Sequence, residues 1–404
     1  MLLKISKVLV RKLRRIITAI DKLIYLIPSM HKYEEAELIT RLLETGLPNA
    51  MNFDFEQLKK QTLNYLESVK VEGKKYNYKF SQSQEVGNLY SSVYALLILD
   101  LYGELKNLSA DEVSQWVVYL DSFQEETDGL WHDDRLLNEH YADSDWWGAR
   151  HLGIHMIAAY TALGKKPKYQ IKYITKYYDL GYMKSWLDRN DWDGYFENEN
   201  DVDNQIMNIG VALQYQRDYF DDKKAKLALE YLFNYLDSKK NKKTGMWGGC
   251  DVSDPKQLSR SIQFAYHLLM LYFYDNRRIE CGEEILEYAL QTQNRLGGFG
   301  VNLNSSACED IDSIELILHL SDDENINARK ALSRAFVWIL SNQMNDGGFV
   351  FRQNQGMWYG HESLTANINE SHLFATWFRT LSLVKLSVNL FPTSKYKAHD
   401  APGY

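Results

Sequence analysis

From about residue 50 onward, apolar side chains recur at three- and four-residue spacing, the mark of amphipathic helices, and strand-like alternation is scarce. The pattern predicts two alternating sets of helices. One set spans roughly 52–70, 110–123, 170–188, 223–238, 280–293 and 326–343. The other spans roughly 88–102, 145–163, 203–216, 257–274, 308–320 and 371–388. A short glycine-aromatic motif punctuates them: Asp128-Gly129-Leu130-Trp131, Asp193-Gly194-Tyr195-Phe196, Thr244-Gly245-Met246-Trp247, Leu296-Gly297-Gly298-Phe299 and Asp346-Gly347-Gly348-Phe349. Successive copies lie 65, 51, 53 and 50 residues apart. A period near fifty marks an array of similar units. Glycine takes the left-handed conformation that closes a helix, and the aromatic that follows is placed to plug the joint between units.

Six helix pairs predict an all-α fold, an (α/α)6 toroid over residues 46–392, in which each unit buries its apolar face against its neighbours. The second set is assigned inside, because polar residues of functional type gather at its helix starts. Those starts then meet at one rim of a central cavity, where chemistry is expected. Residues 1–45 read as a basic amphipathic helix with a linker, and residues 393–404 as a frayed tail.

Composition adds little to this picture, and charge adds more. Apolar residues at 45% and charged residues at 25% are ordinary for a soluble domain. Aromatics reach 13%, with 28 Tyr, which suits an apolar cavity, a sugar-stacking cleft or plain helix packing. Cys250, Cys281 and Cys308 form neither a metal-ligand spacing nor a disulfide framework, which points to a reducing, cytoplasmic setting. The net charge is −8, yet residues 1–30 carry seven cations against Asp21 and so leave −14 for the rest. An acidic body argues against nucleic acid as a partner. The basic start interleaves Leu, Ile and Val with Lys and Arg. That composition suits a helix lying on an anionic membrane surface, and equally a helix packed on the body.

Candidate chemistry collects at the inner helix starts. Trp146, Trp147, Arg150 and His151 open one helix, and Asp203 opens the next, where aspartate is also a good N-cap. Arg260 and His267 lie on the following one, and His372, Trp377 and Arg379 on the last. His151 and His155 share a helix face but lack the glutamate that zinc proteases place after the first histidine, so no metal site is assigned. An arginine as deep in an apolar helix as Arg379 needs an anion, either a structural carboxylate or a ligand group. The densest cluster is Glu309-Asp310-Ile311-Asp312-Ser313. A helix N-terminus favours ionised carboxylates, but crowding three of them raises the pKa of at least one. A carboxyl kept protonated near neutral pH is a Brønsted acid. The alternative is a capping cluster on a solvated rim.

The stretches Gln291-Thr292-Gln293-Asn294-Arg295-Leu296-Gly297-Gly298-Phe299 and Gln343-Met344-Asn345-Asp346-Gly347-Gly348-Phe349 resemble the glutamine-to-Gly-Gly-Phe repeats of squalene/terpene cyclases and protein prenyltransferase β-subunits. Those families are α/α toroids, and the resemblance covers about residues 85–385. Glu309–Ser313 resembles the Asp-x-Asp-Asp acid motif of class II terpene cyclases, with Ser313 in the place of the last aspartate. The resemblance implies a cyclase or related isomerase acting on an isoprenoid-type molecule. Asp312 would be the general acid, with Asp310 and Glu309 as tuners. Trp146, Trp147, Tyr359 and Trp377 would be aromatic walls for a cation. No cofactor is required, and Mg²⁺ enters only if the substrate is a diphosphate. The prenyltransferase zinc site is not matched, because Asp312 stands where its cysteine ligand belongs. Two rival readings remain. One is a carbohydrate-active toroid using carboxylates such as Asp145, Asp203 and Asp312, with tryptophans against sugar rings. The other is an inactive toroid that binds a lipid or a partner.

Overall fold

Inner and outer helices of this chain are buried differently, as a ring requires. The computed structural model describes residues 28–45, 53–142, 144–391 and 394–404. Residues 1–47 and 48–404 form two units. In the first, helix α1 spans Pro28–Thr45. Residues 1–27, which carry most of the basic amphipathic pattern, lie outside the described residues.

In the second unit, α3 (Leu89–Leu101), α5 (Ala149–Ala162), α7 (Val202–Phe220), α9 (Pro255–Tyr274), α11 (Ala307–Leu320) and α13 (Leu373–Leu390) each pack on the next, and α13 packs back on α3. That closure makes the fold an α/α toroid. Outside lie α2 (Phe55–Ser68), α4 (Ala110–Asp121), α6 (Leu180–Leu187), α8 (Lys223–Lys239), α10 (Gly282–Gln291) and α12 (Ile326–Leu340). Helix α3 buries eleven of its thirteen residues, as an element enclosed all round must. Helix α8 buries only Ala225, Ala228, Leu229, Leu232, Phe233 and Leu236, a single stripe at helical spacing. Caps set the starts. Ser109 with Glu112 and Ser306 with Glu309 form capping boxes, and Asp254 caps α9 ahead of Pro255. No helix among the described residues is long and apolar enough to cross a membrane.

The repeat motif works as a joint. Four copies close with a backbone bridge, Gln124 to Trp131, Lys240 to Trp247, Gln293 to Phe299 and Gln343 to Phe349. The glutamine side chain ties its own turn to the next outer segment. Gln124 Nε2 donates to Gly129 O and Tyr169 O, and Gln293 Nε2 donates to Gly297 O and Ala331 O. Gly347 has φ +90°, and a Cβ there would sit 2.2 Å from the Gln61 carbonyl oxygen of α2. Only glycine lets the last joint meet the first outer helix. The positive-φ glycine thus falls in a turn beyond the helix end, not at the helix cap itself.

Three details depart from the sequence reading. The 170–188 segment is not one helix but a short 3-10 turn at Thr175–Tyr178 and α6, started by Asp179 accepting from Gly181 N and Tyr182 N. Two antiparallel hairpins are present, β1 (Tyr78–Lys79) with β2 (Gly87–Asn88) and β3 (Met357–Tyr359) with β4 (His361–Ala366). The tail is not frayed. Tyr404 stacks on Trp377 with ring centroids 6.1 Å apart, and His399 Nδ1 lies 2.6 Å from Asp100 Oδ2.

Candidate active site

The capping box that starts α11 fixes the acid cluster on the helix. Glu309 is its N3 residue: Oε2 accepts from Ser306 N at 2.8 Å and from Arg352 Nη2 at 2.6 Å. Asp310 is fully buried and has four donors. Phe299 N and Ser305 Oγ reach Oδ1 at 2.8 Å, while Trp338 Nε1, at 3.0 Å, and Arg379 Nη1 reach Oδ2. Arg379 also donates to Ser305 O and Phe351 O. Asp310 therefore ties the Phe299 joint to α11, α12 and α13. Asp310, expected to tune the acid, is paired with Arg379 inside the scaffold, and Arg379, expected to face substrate, is wholly enclosed with Asp310, Ser305 O and Phe351 O as acceptors.

Asp312 differs from both neighbours. It is 3% exposed, yet among the described residues no hydrogen bond reaches its carboxyl. Burial pushes its pKa up, the His267 cation pulls it down, the Asp203 and Glu309 charges push it up again, and Arg260 pulls it down. The balance holds it at about 7.

Beside it, Arg260 donates to Asp203 through both terminal nitrogens, at 2.7 and 2.8 Å, and His267 Nδ1 lies 2.9 Å from the same carboxylate. Burial opposes ionisation of Asp203, but this bidentate pair and the histidine outweigh it and depress its pKa. For His267, burial pulls down while Asp203 and Asp312 pull up, and the result is raised. The four groups form one charge network across α7, α9 and α11.

A second buried group is aromatic. Gly360 (φ +73°) turns the β3–β4 hairpin directly over the Trp147 ring, where a Cβ would lie 2.1 Å from the indole. The hairpin thereby buries Tyr359. Its hydroxyl lies 3.1 Å from His151 Nδ1, which Tyr90 OH also approaches at 3.3 Å. Burial depresses His151 to about 3 and lowers His155 well below its usual value, so both rings are neutral. Tyr94 stacks on Trp377 at 5.1 Å, His155 packs edge-on against the same indole at 4.8 Å, and Phe374 stacks on Tyr359 at 4.5 Å.

Other sequence candidates are taken up by the scaffold. Trp147 is buried under Gly360 and against Tyr141. Arg150 donates from Nη1 to both oxygens of Asp145 and from Nη2 to Ala142 O, and Asp145 Oδ1 also accepts from Asn208. His372 caps α13 through Nδ1 and stacks on Phe80. Trp146 stays 42% exposed at the rim, edge-on to Tyr359. Cys308, beside Glu309 on α11, was not carried as a site residue; burial and the Asp312 and Glu309 charges push its thiol up. Helical spacing alone signals Cys308, one turn before Asp312 on the same face.

No family model matches the chain, and no curated protein matches it. Solved structures do match. The type II terpene cyclase MstE of Scytonema is 14% identical, over 83% of this chain and 98% of its own, with a TM-score of 0.48. A GH76 α-mannanase of Bacteroides thetaiotaomicron is 14% identical, over 83% and 96%, at 0.47. An unsaturated glucuronyl hydrolase of Streptococcus agalactiae is 11% identical, over 85% and 93%, at 0.45. These proteins differ in chemistry among themselves, so the likeness is one of helical arrangement and assigns no residue.

Proposed function

We propose that this protein is an acid-initiated, class II-like terpene cyclase or related isoprenoid isomerase in which Asp312 delivers the proton. The observation that carries the reading is a buried carboxyl with no hydrogen-bond partner among the described residues, its pKa held near 7. Such a group is half protonated at neutral pH, and its proton is not committed to another protein atom. Asp312 gives that proton to an alkene carbon or an epoxide oxygen and is left as a carboxylate. Arg260 and His267 stabilise that carboxylate, which strengthens the acid. The carbocation then loses a proton from a neighbouring carbon, so the reaction is a net isomerisation. Ser313 removes the carboxylate that the acid motif places next in sequence. Asp203, on α7, supplies a neighbouring negative charge instead.

Mg²⁺ finds no free carboxylate cluster in this network. Asp203, Glu309 and Asp310 are bound by Arg260, Arg352 and Arg379, so no step is assigned to a metal. The glycan reading is less well supported, because Asp145 and Asp203 are held by Arg150 and Arg260 and neither is free to act as a base. Residues 1–30 would hold the protein at an anionic membrane surface, where isoprenoid substrates collect. Incubation with linear prenyl diphosphates, squalene and oxidosqualene, followed by product analysis, tests the reaction. Cyclised or isomerised product that disappears in Asp312→Asn is expected. No conversion of any of them, or conversion that survives in Asp312→Asn, overturns the reading.

A further inference from the structure

Residues 396–404 cross the end of the ring where the inner helices finish, and they do so without joining its backbone. Among the described residues, the backbone hydrogen bonds of the tail run from Ser394 N to Phe391 O and from Tyr404 N to Ala401 O, and both are local. The ties to the ring are made by side chains and by packing. Tyr396, 5% exposed, packs edge-on against Tyr102 at 5.6 Å and donates to Glu56 of α2. His399 Nδ1 lies 2.6 Å from Asp100 Oδ2 on α3. Gly403, at φ +77°, approaches α5 and α7 so closely that a Cβ would come within 2.8 Å of Ile154 and 2.9 Å of Val211. Tyr404 stacks on Trp377 of α13 at 6.1 Å, and His399 stacks on Tyr404 at 4.7 Å.

The inner helices follow one another around the ring as α13, α3, α5 and α7. Gly403 touches α5 and α7, and the next residue touches α13. Two consecutive residues with those contacts lie across the bore of the ring, not along its edge. Tyr404 thereby covers Trp377, which is 3% exposed and stacks on Tyr94. On the other side of residues 397–404, toward α9, α11 and α12, is a chamber of about 820 Å³. Its walls are in good part charged. Glu315 is paired with Lys385 at 2.6 Å and His319 at 3.4 Å, and Asp322, Asp323 and Asp400 stand at the mouth. One side of the segment thus rests on packed helices and the other on open space with hydrophilic walls, a setting that favours local opening.

We infer that residues 396–404 are a strap that closes the bore and lifts from it as a unit while the ring stays folded. Closed, the strap shields Trp377. Lifted, it joins bore and chamber into one opening. Release breaks the His399 bond to a carboxylate and the Tyr404 stack, but no hydrogen bond of any helix. Gly403 is what lets the strap close, because a side chain there meets Ile154 and Val211 and strains the positive φ. The inference concerns access to the ring and holds whether or not Asp312 is an acid.

The test is iodoacetamide labelling of the native whole chain, read site by site by peptide mass. Ala401→Cys puts a reporter thiol in the strap, where Ala401 is 1% exposed. Ala95→Cys in α3 and Ala335→Cys in α12, both at positions 0% exposed, report on the ring, and two of them keep the comparison readable if one does not fold. The strap thiol should label at least about a hundredfold faster than the ring thiols, at a rate that low urea hardly changes, because local opening exposes little surface. Adding His399→Ala or Gly403→Val should raise the strap rate about tenfold and leave the ring rates and the thermal melt unchanged. One rate and one urea dependence for all sites, no labelling of the strap thiol, or either variant speeding every site alike would overturn the inference, since the strap would then open only with the ring. Labelling of the strap as fast as free cysteine, or a strap rate that neither variant moves, would overturn it too, since the strap would then have no closed state of this kind.

Discussion

Replacing Asp312 with asparagine should separate stability from activity, and the separation should depend on pH. In the folded chain the carboxyl is raised from the ordinary aspartate value of 3.8 to about 7. In the unfolded chain it returns to the ordinary value. Below about pH 4 both states are protonated and the group has no effect. Between about pH 4 and 7 the folded chain binds a proton that the unfolded chain does not, so stability falls as pH rises. Above about 7 the cost is complete and amounts to ~4 kcal/mol, at about 1.4 kcal/mol per tenfold difference in proton affinity. Asparagine does not ionise, so its stability lacks this slope. Urea unfolding of both proteins from pH 4 to pH 8 should show the variant gaining on the wild type by ~4 kcal/mol. At pH 8 the variant should be the more stable and the less active of the two. Parallel stability curves across that range would refute the account of Asp312 as a buried carboxyl without a compensating partner.

Three further outcomes follow from the same contacts. Arg379→Met leaves the Asp310 carboxylate enclosed without its cation and should cost about 3–5 kcal/mol in urea unfolding. Arg379→Lys should not restore it, because one ammonium cannot serve Asp310, Ser305 O and Phe351 O together. His267→Gln removes a positive charge that holds Asp312 down, so the Asp312 titration followed by ¹³C-aspartate NMR should move to higher pH. Gly347→Ala meets both a left-handed φ and the Gln61 carbonyl, and should destabilise the ring by more than about 1 kcal/mol in a thermal melt.

The fold was legible because its signal is repetitive and local. Helix boundaries follow from caps such as Ser306 and Asp254, which act within one turn, and from apolar spacing, which each helix carries by itself. The segment before α6 was misread because Asp179 caps a later start than the apolar pattern implies. The hairpin carrying Tyr359 was missed because β3 and β4 are too short to show alternation, and its turn is specified by Gly360 over Trp147, a contact more than 200 residues long in sequence. The carboxylates of Glu309–Asp312 stand out in the sequence as one stretch, but its members could not be told apart from spacing. Glu309, Asp310 and Asp312 are alike as residues and differ only in what faces them.

The chain by itself determined the number of helical pairs, which set lies inside and how each pair is jointed to the next. Those properties come from short-range periodicity, capping and glycine conformation, and all three are written in neighbouring residues. Tertiary structure decided the surroundings of each carboxyl. It gave Asp310 four donors and Asp312 no hydrogen-bond partner among the described residues, although the two are separated by one residue. Alternate positions on a helix point about 200° apart, so one carboxyl turned toward Arg379 and the joint while the other turned toward His267 and the Asp203–Arg260 pair. A pKa depends on the dielectric and the charges around a group, and only the closed ring brings those together.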